Sequence, residues 1–397
     1  MHCGVYCVCS VLCVAVEGLV GQTCFKMLRV VDLFAGLGGM TCGALEAGAS
    51  VVLAVDSDPV PLKLLGANTP ATTTVVATLG EGRDEVSLPP AGPDLHVHLS
   101  TACTELSVAR RDLKADTVAG LEMLRWAVRF VLERNDESWS LENVPTKATR
   151  TLMAELVAAH PERVAYAVFD SADYGAPQSR LRLIAGPPAL IRMLQGIPCA
   201  RRVCVRDAFE SAGKDVPAPC YKNQTRSQCG GPTTRSVETQ SFTVCALVRV
   251  RVRVNPNPNP NPNPNPNPNP NPNQVCAGHA LTWCEPDGKT VRVMTARESA
   301  ILMGFPATWA LPHGSRAAQK AVGNAMCVAL SRNIVRAAMA VRDGDASVPV
   351  ETFSAITPSP APAMKFELSR KQYRRIRRRI DSLERVCTTR CEEILED

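Results

Sequence analysis

The stretch Leu28-Arg29-Val30-Val31-Asp32-Leu33-Phe34, followed by Ala35-Gly36-Leu37-Gly38-Gly39-Met40, decides the fold of this 397-residue chain. Its first half is an apolar run that predicts a parallel strand buried on both faces. Its second half predicts a glycine-rich turn into a helix that continues to Glu46. Glycines there let the backbone approach a ligand closely, and the helix N-terminus offers free N–H groups to an anion. Tight packing alone is the other explanation of such a turn.

A second predicted strand, Ser50 to Val55, ends in Asp56-Ser57-Asp58. An acidic residue about 20 positions after such glycines can bind both hydroxyls of a ribose. The alternative is an ordinary N-cap aspartate. Together the two motifs favour a ligand with an adenosine half, and the absence of Gly-Lys-Ser/Thr argues against a triphosphate.

Composition limits the class of protein. The chain is 45% hydrophobic, carries a formal net charge of +6 and has 17 cysteines. The cysteines are scattered through apolar segments and lack paired metal-binding spacing, which indicates reduced thiols in an intracellular protein. No segment of the sequence has the features of a signal peptide or a membrane span. We therefore expect a protein of the nucleus, cytoplasm or nucleoid that is not secreted and binds no metal.

Cys103 follows directly on an apolar strand, Leu95 to Leu99, as a nucleophile held at the exit of a buried strand would. Next come a predicted amphipathic helix, Val118 to Glu133, and a strand that closes on Glu142-Asn143-Val144. A further strand, Val164 to Asp170, precedes Gln178-Ser179-Arg180-Leu181-Arg182. This alternation predicts a doubly wound α/β sheet with its ligands at the carboxyl ends of the strands.

In this order the motifs resemble those of the cytosine-5 DNA methyltransferase family. The resemblance covers residues 28–186 and 290–340, and it includes Asp32 to Gly39, Glu142-Asn143-Val144 and Gln178-x-Arg180-x-Arg182. Later segments are similar too: Arg292 to Pro306, and Gln319 through Gly323-Asn324-Ala325. The resemblance implies a Rossmann-like, S-adenosyl-L-methionine-dependent methyltransferase sheet with a small target-recognition domain, acting on double-stranded DNA.

The resemblance also implies roles for individual residues. The catalytic residues would be Cys103, Glu142, Arg180 and Arg182. The cofactor-binding residues would be Phe34, Gly36, Gly38, Gly39, Asp56 and Asn324. The substrate-binding residues would be Asn143, Arg110, Arg111 and Gln178.

The roles that the resemblance implies agree with the chemistry of cytosine, whose carbon 5 becomes nucleophilic only after a thiolate adds to carbon 6. Glu142 would supply a proton at the ring nitrogen, which predicts a raised pKa in a closed site. Arg180 and Arg182 would position the base and hold Cys103 as a thiolate. The base must be rotated out of the duplex, and Arg110 and Arg111 would contact phosphate.

The sequence departs from the family at Ala102-Cys103-Thr104, where Pro-Cys-Gln is usual, and at Cys327, where proline is usual. Two alternatives therefore stand beside DNA methylation. One is the same chemistry on tRNA, which one branch of the family carries out. The other is a catalytically weak DNA-binding homologue.

Six segments are predicted. They are an N-terminal extension (1–27), a catalytic domain (28–186), a target-recognition region (187–291), a return to the catalytic domain (292–342), a linker (343–364) and a charged amphipathic helix (365–397). The last could bind DNA phosphates, form an oligomer through a coiled coil, or pack on its own catalytic domain.

The recognition region contains a low-complexity stretch, residues 247–274, with an alternating Val-Arg run and an Asn-Pro repeat. Val-Cys-Ala occurs on both sides, at 244–246 and 275–277. The nine prolines of the repeat cannot join a sheet. We interpret residues 247–277 as an insertion without a function of its own, although the Val-Arg run could also form a basic strand on nucleic acid.

Overall fold

The computed structural model describes residues 27–102, 116–197, 202–223, 234–244 and 281–344. Several predicted features lie outside these residues. They are the N-terminal extension up to residue 26, the nucleophile Cys103 with Arg110 and Arg111, the low-complexity stretch, most of the linker and the C-terminal helix.

The larger sheet has seven strands in the order β3-β2-β1-β4-β5-β7-β6. They are β1 (Arg29–Leu33), β2 (Ser50–Asp56), β3 (Thr73–Val76), β4 (Leu95–Leu99), β5 (Ser138–Asn143), β6 (Ala165–Asp170) and β7 (Leu181–Gly186). Neighbouring strands pair in parallel except at β7, which is antiparallel to both β5 and β6. The predicted doubly wound α/β class is confirmed, with one reversed strand that the sequence did not predict.

Helices cover both faces of this sheet. In the described residues they are α1 (Gly39–Glu46), α2 (Pro59–Asn68), α3 (Asp116–Glu133), α4 (Lys147–Ala159), α5 (Pro188–Gln195), α6 (Val205–Ser211), α7 (Ala296–Leu302), α8 (Ser315–Asn324) and α9 (Val328–Asp343). Leu124, Val128 and Val131 of α3 are fully buried with Leu152 of α4 on one face, because their spacing places them on one stripe of each helix. Residues of α1, α5 and α9 form the core on the other face.

A second, antiparallel sheet lies in the predicted recognition region. Its strand order is β11-β10-β8-β9, with β8 (Cys220–Asn223), β9 (Thr234–Ser236), β10 (Leu281–Cys284) and β11 (Thr290–Val293). The fully buried rings of Tyr221 and Trp283 pack in the core of this part, together with Val244 and Leu281. Val244 and Leu281 flank the stretch that contains the Asn-Pro repeat, so both flanks belong to one core.

A close contact between α1 and α9 joins the first glycine-rich turn to the C-terminal end of the catalytic domain. A Cβ atom on Gly39 would lie 2.2 Å from the carbonyl oxygen of Met326, and one on Gly43 would lie 2.6 Å from that of Val328. Two glycines four residues apart on α1 thus let the α9 backbone pack directly against it. This contact brings Asn324 and Met326 to the end of β1.

We predict that Gly39→Ala destabilises the protein by more than about 3 kcal/mol, because the methyl group would meet backbone atoms that cannot move without separating the helices. The midpoint of urea unfolding measures the loss. Gly66→Ala is the control: its Cβ would meet only the Thr74 side chain at 3.3 Å, and alanine favours the helix, so a change within about 1 kcal/mol is expected. Equal stability of Gly39→Ala and wild type would contradict the account of this contact.

Candidate active site

A cavity of about 460 Å³ opens at the carboxyl ends of β1, β2, β4 and β5. It lies where the strand order reverses between β1 and β4, the usual ligand position in an open α/β sheet, and its size is that of a small-molecule site. The cavity lining includes the predicted site residues Phe34, Gly36, Asp56, Glu142, Arg182 and Asn324.

One end of the cavity is suited to a ribose. The Asp56 carboxylate accepts hydrogen bonds from the backbone N–H groups of Gly36 and Asp58, each at 2.8 Å. These bonds fix its orientation and leave lone pairs on both oxygens for hydroxyl donors. Burial raises the pKa of Asp56 above its usual value.

Phe34 lies beside this end in a left-handed backbone conformation, with φ of 61°. That conformation costs free energy in a non-glycine residue, and such residues occur preferentially at functional sites. Its ring also meets Trp126 edge to face, with 6.3 Å between centroids. The turn therefore presents an oriented aromatic surface to the cavity.

The glycines of the turn separate into two groups. Gly36 lines the cavity, and the nearest atom to a Cβ there would be Asp56 Oδ2 at 3.9 Å. Gly38 and Gly39 are not in the lining; a Cβ on either would collide with Leu65 or with Met326. Of the two explanations of this turn, ligand approach fits Gly36, and tight packing fits Gly38 and Gly39.

Asp32 is a fully buried carboxylate in the cavity wall that sequence reasoning left without a role of its own. Thr41 donates to its Oδ2 from the hydroxyl at 2.7 Å and from the backbone at 3.1 Å. Its Oδ1 has no hydrogen-bond partner among the described residues. Burial raises the pKa of Asp32 to about 7 in spite of the bonds from Thr41. A cationic ligand group would satisfy the free oxygen.

Glu142 and Arg182 form an ion pair, with 2.6 Å between Arg182 Nε and Glu142 Oε1. Both side chains are about nine-tenths buried and both line the cavity. The reversed direction of β7 explains how they meet: Glu142 lies near the end of β5, and Arg182 near the beginning of its antiparallel neighbour. The structure therefore brings the predicted acid together with one of the two predicted arginines.

Two other predicted residues, Arg180 and Gln178, are buried and bound to the protein itself. Arg180 donates to the carbonyls of Val244, Gly323 and Ala325 at 2.6, 2.9 and 3.1 Å. Gln178 donates to Leu302 O at 2.8 Å and accepts from Val244 N at 3.0 Å. These side chains join the catalytic sheet to the recognition region and to the end of α8.

Asn143 holds the segment that leads to Cys103, the predicted nucleophile. Its Nδ2 contacts Thr101 O at 3.2 Å and Thr101 Oγ1 at 3.0 Å, and its Oδ1 accepts from Val144 N at 2.7 Å. Thr101 and Ala102 both line the cavity. Asn143 therefore holds the backbone two residues before Cys103.

Sequence reasoning missed Asp32, Ser100, Thr101 and Lys320 as individual members of the cavity wall. The signal for Asp32 was present, since it is the only acidic residue in the apolar run of β1. Within the described residues, no group of three or more His, Cys, Asp and Glu side chains is arranged to hold a metal ion. No helix there is long and apolar enough to cross a bilayer.

Comparison with known proteins gives consistent matches. The family model for the C-5 cytosine-specific DNA methylase matches residues 28–186 and 191–340. The Type II methyltransferase M.AquIA of Picosynechococcus sp. is 29% identical over 175 residues, which span 39% of this chain and 69% of that protein. The Type II methyltransferase M.XorII of Xanthomonas oryzae pv. oryzae is 30% identical over 224 residues, about half of each chain (51%). Among solved structures, S. pombe Dnmt2 methyltransferase has a TM-score of 0.46 at 14% identity, over 80% of this chain and 99% of that one.

We predict that Asp32→Asn flattens the pH dependence of stability. The folded-state pKa of Asp32 is raised from 3.8 to about 7, so the folded protein holds a proton that the unfolded chain has already released. Wild-type stability should therefore fall as the pH rises from about 4 to about 7, by a few kcal/mol. Asparagine keeps an oxygen for Thr41 and carries no charge, so the variant should be the more stable at pH 8.

Urea midpoints measured from pH 5 to pH 8 would show this difference in slope. Asp215→Asn, which changes an exposed carboxylate, should keep the slope of the wild type. If Asp32→Asn also keeps that slope, the buried carboxylate does not titrate as described.

Proposed function

This chain belongs to the C-5 cytosine-specific DNA methylase family, and we propose that it methylates cytosine in duplex DNA through a covalent bond between Cys103 and carbon 6 of the base. The enzyme class and the cofactor follow from family membership: a DNA cytosine-5-methyltransferase that uses S-adenosyl-L-methionine. The observation that supports the mechanism is the Glu142–Arg182 ion pair, which faces the same cavity as Ala102, the residue before Cys103.

The cavity suits this cofactor, which supplies an electrophilic methyl group on a sulfonium. Asp56 would accept the ribose hydroxyls, Phe34 would contact the adenine ring, and Asn324 would close the cavity from the end of α8. The free Oδ1 of Asp32 would accept from the ammonium of the methionine half. The cavity thus offers an acceptor for the ribose hydroxyls and one for the ammonium group of the ligand.

In the proposed reaction, the Cys103 thiolate adds to carbon 6, and the electron density displaced from the 5,6 double bond makes carbon 5 nucleophilic. Glu142, positioned by Arg182, would take up a proton when the base enters the site and, in that protonated form, donate it to ring nitrogen 3 as charge develops there. Carbon 5 takes the methyl group and then loses its proton to a base. The electrons of that C–H bond restore the double bond and expel the thiolate.

Carbon 6 is shielded in a stacked duplex, so the target base must be rotated out before Cys103 can reach it. Arg110 and Arg111 would contact DNA phosphates near the flipped nucleotide. The antiparallel sheet of β8 to β11 occupies the predicted recognition region and would contribute to sequence choice. We infer from this reaction that the protein acts inside a cell. The helix predicted over residues 365–397 is a candidate for oligomer contacts.

We predict that the wild-type protein forms a denaturation-resistant adduct with duplex DNA that contains 5-fluorocytosine. Fluorine replaces the proton that must leave carbon 5, so the thiolate cannot be expelled after methyl transfer. Gel electrophoresis under denaturing conditions would show the adduct in the presence of S-adenosylmethionine. Cys103→Ser should abolish it, whereas Cys220→Ser, in the recognition sheet, should retain it.

An adduct that survives in Cys103→Ser would assign the nucleophile to another residue. If the wild type binds the DNA but forms no adduct, the weak DNA-binding homologue motivated by Ala102 and Thr104 becomes the better account.

We also predict that deletion of residues 247–277 leaves DNA binding and methyl transfer within about twofold of the wild type. Val244 and Leu281 belong to the same buried core, and five residues would remain between them, Cys245, Ala246, Gly278, His279 and Ala280. A filter-binding titration and a methyl-transfer assay test this. A tenfold loss in either measurement would show that the stretch contributes directly.

A further inference from the structure

Five polar side chains form a continuous hydrogen-bonded chain inside the catalytic sheet. His96 contacts Ser138 Oγ through Nδ1 and Ser140 Oγ through Nε2, both at 2.8 Å. His98 contacts Ser140 Oγ through Nδ1 and Ser100 Oγ through Nε2, both at 2.7 Å. This hydrogen-bonded chain of side chains therefore runs Ser138–His96–Ser140–His98–Ser100.

The two ends of this hydrogen-bonded chain, Ser138 and Ser100, lie in different surroundings. Ser138 is the first residue of β5, at the end of the sheet opposite the cavity, and it is half-buried. Ser100 directly follows β4, is also half-buried and lines the cavity. His96, His98 and Ser140 between them are fully buried. The chain thus connects the interior of the sheet to the proposed cofactor site.

When the Ser140 proton is used within this hydrogen-bonded chain, proton counting allows two arrangements of its bonds. Burial lowers the pKa of both histidines to about 3, so each imidazole is neutral and carries one N–H. Ser140 has a single proton and lies between two ring nitrogens, so it donates to one histidine and accepts from the other. All four bonds therefore point toward the cavity or all four point away from it.

The direction decides what Ser100 offers to a ligand. When the bonds point toward the cavity, His98 donates to Ser100, and the Ser100 hydroxyl proton is free to donate to a ligand. When they point away, Ser100 donates to His98 and can only accept. An anionic group at Ser100 would select the first arrangement, because it needs a donor.

Such a group is expected close to Asp32. Asp32 and His98 are register partners on β1 and β4, so Ser100 follows one pleat farther along the same face. The amino acid end of S-adenosylmethionine carries its ammonium and its carboxylate on one carbon. With the ammonium at Asp32 Oδ1, the carboxylate lies within a few Å of it and needs a donor of its own.

We propose that Ser100 is a cofactor-binding residue whose hydroxyl donates to the carboxylate of S-adenosylmethionine, and that His98 is a positioning residue that orients this hydroxyl. This inference rests on the proposed function, because it places the cofactor in the cavity described above. Ser100 and His98 are not among the site residues that the sequence motifs predicted.

The test compares two ligands, S-adenosylmethionine and its decarboxylated analogue, by calorimetric titration of the full-length protein. Ser100→Ala should weaken binding of S-adenosylmethionine about tenfold or more, the usual effect of losing a hydrogen bond to a charged group. The same variant should bind the decarboxylated analogue within about twofold of the wild type, since that ligand has no carboxylate to lose.

Ser138→Ala is the matched control. It removes a hydroxyl from the same chain, at the end away from the cavity, and should leave both affinities unchanged while its unfolding midpoint falls about as much as that of Ser100→Ala. His98→Gln can still reach Ser100, whereas His98→Asn reaches only Ser140. We expect S-adenosylmethionine to bind more tightly to the glutamine variant than to the asparagine variant.

Three outcomes would overturn the inference: wild-type affinity in Ser100→Ala, an equal loss for both ligands in Ser100→Ala, or an equal loss in Ser138→Ala. In each of these cases the wild type still binds S-adenosylmethionine, so the proposed function stands. A wild-type protein that binds neither ligand would overturn both.

Discussion

The backbone contact between α1 and α9 is the constraint on which the site depends. Gly39 and Gly43 contribute no side chain to the contact, so α9 and the residues before it pack directly against the backbone of the helix that follows the first glycine-rich turn. The cavity is consequently built from two parts of the chain almost 300 residues apart, with Phe34 and Gly36 on one side and Asn324 on the other. Neither part forms the cavity alone.

A second constraint comes from the direction of β7. If that strand ran parallel to β5, its first residues would lie at the opposite edge of the sheet, away from Glu142. Because it is reversed, Arg182 lies beside Glu142 and the pair faces the cavity. The motif residues then divide by function: some face the cavity, while Asn143, Gln178 and Arg180 hold backbone segments in place. The segment 178–182 thus contains one residue of the cavity wall, Arg182, and two residues, Gln178 and Arg180, that position the recognition region.

The sequence predicted β1, β2, β4, β5 and β6, the helices α1 and α3, and six residues of the cavity wall. Buried parallel strands and amphipathic helices have distinct periodicities, which is why these elements could be predicted. The direction of β7 was not predictable in this way, since a short apolar strand looks the same in either direction. Asp32 and the histidines of β4 were also missed. The roles of these residues depend on the groups that they contact in the folded protein. Asp32 contacts Thr41, and the two histidines contact Ser138, Ser140 and Ser100. Only strand register brings these groups together.

Methyl transfer to cytosine in DNA can be measured with tritium. The assay follows the label from methyl-labelled S-adenosylmethionine into unmethylated duplex DNA and, in parallel, into tRNA, with the full-length protein as catalyst. We expect label in the duplex, recovered as 5-methylcytosine after hydrolysis, and none in the tRNA. Label that appears only in tRNA would contradict the assignment of the substrate. Label in neither nucleic acid, from a protein that binds the cofactor, would contradict catalysis itself.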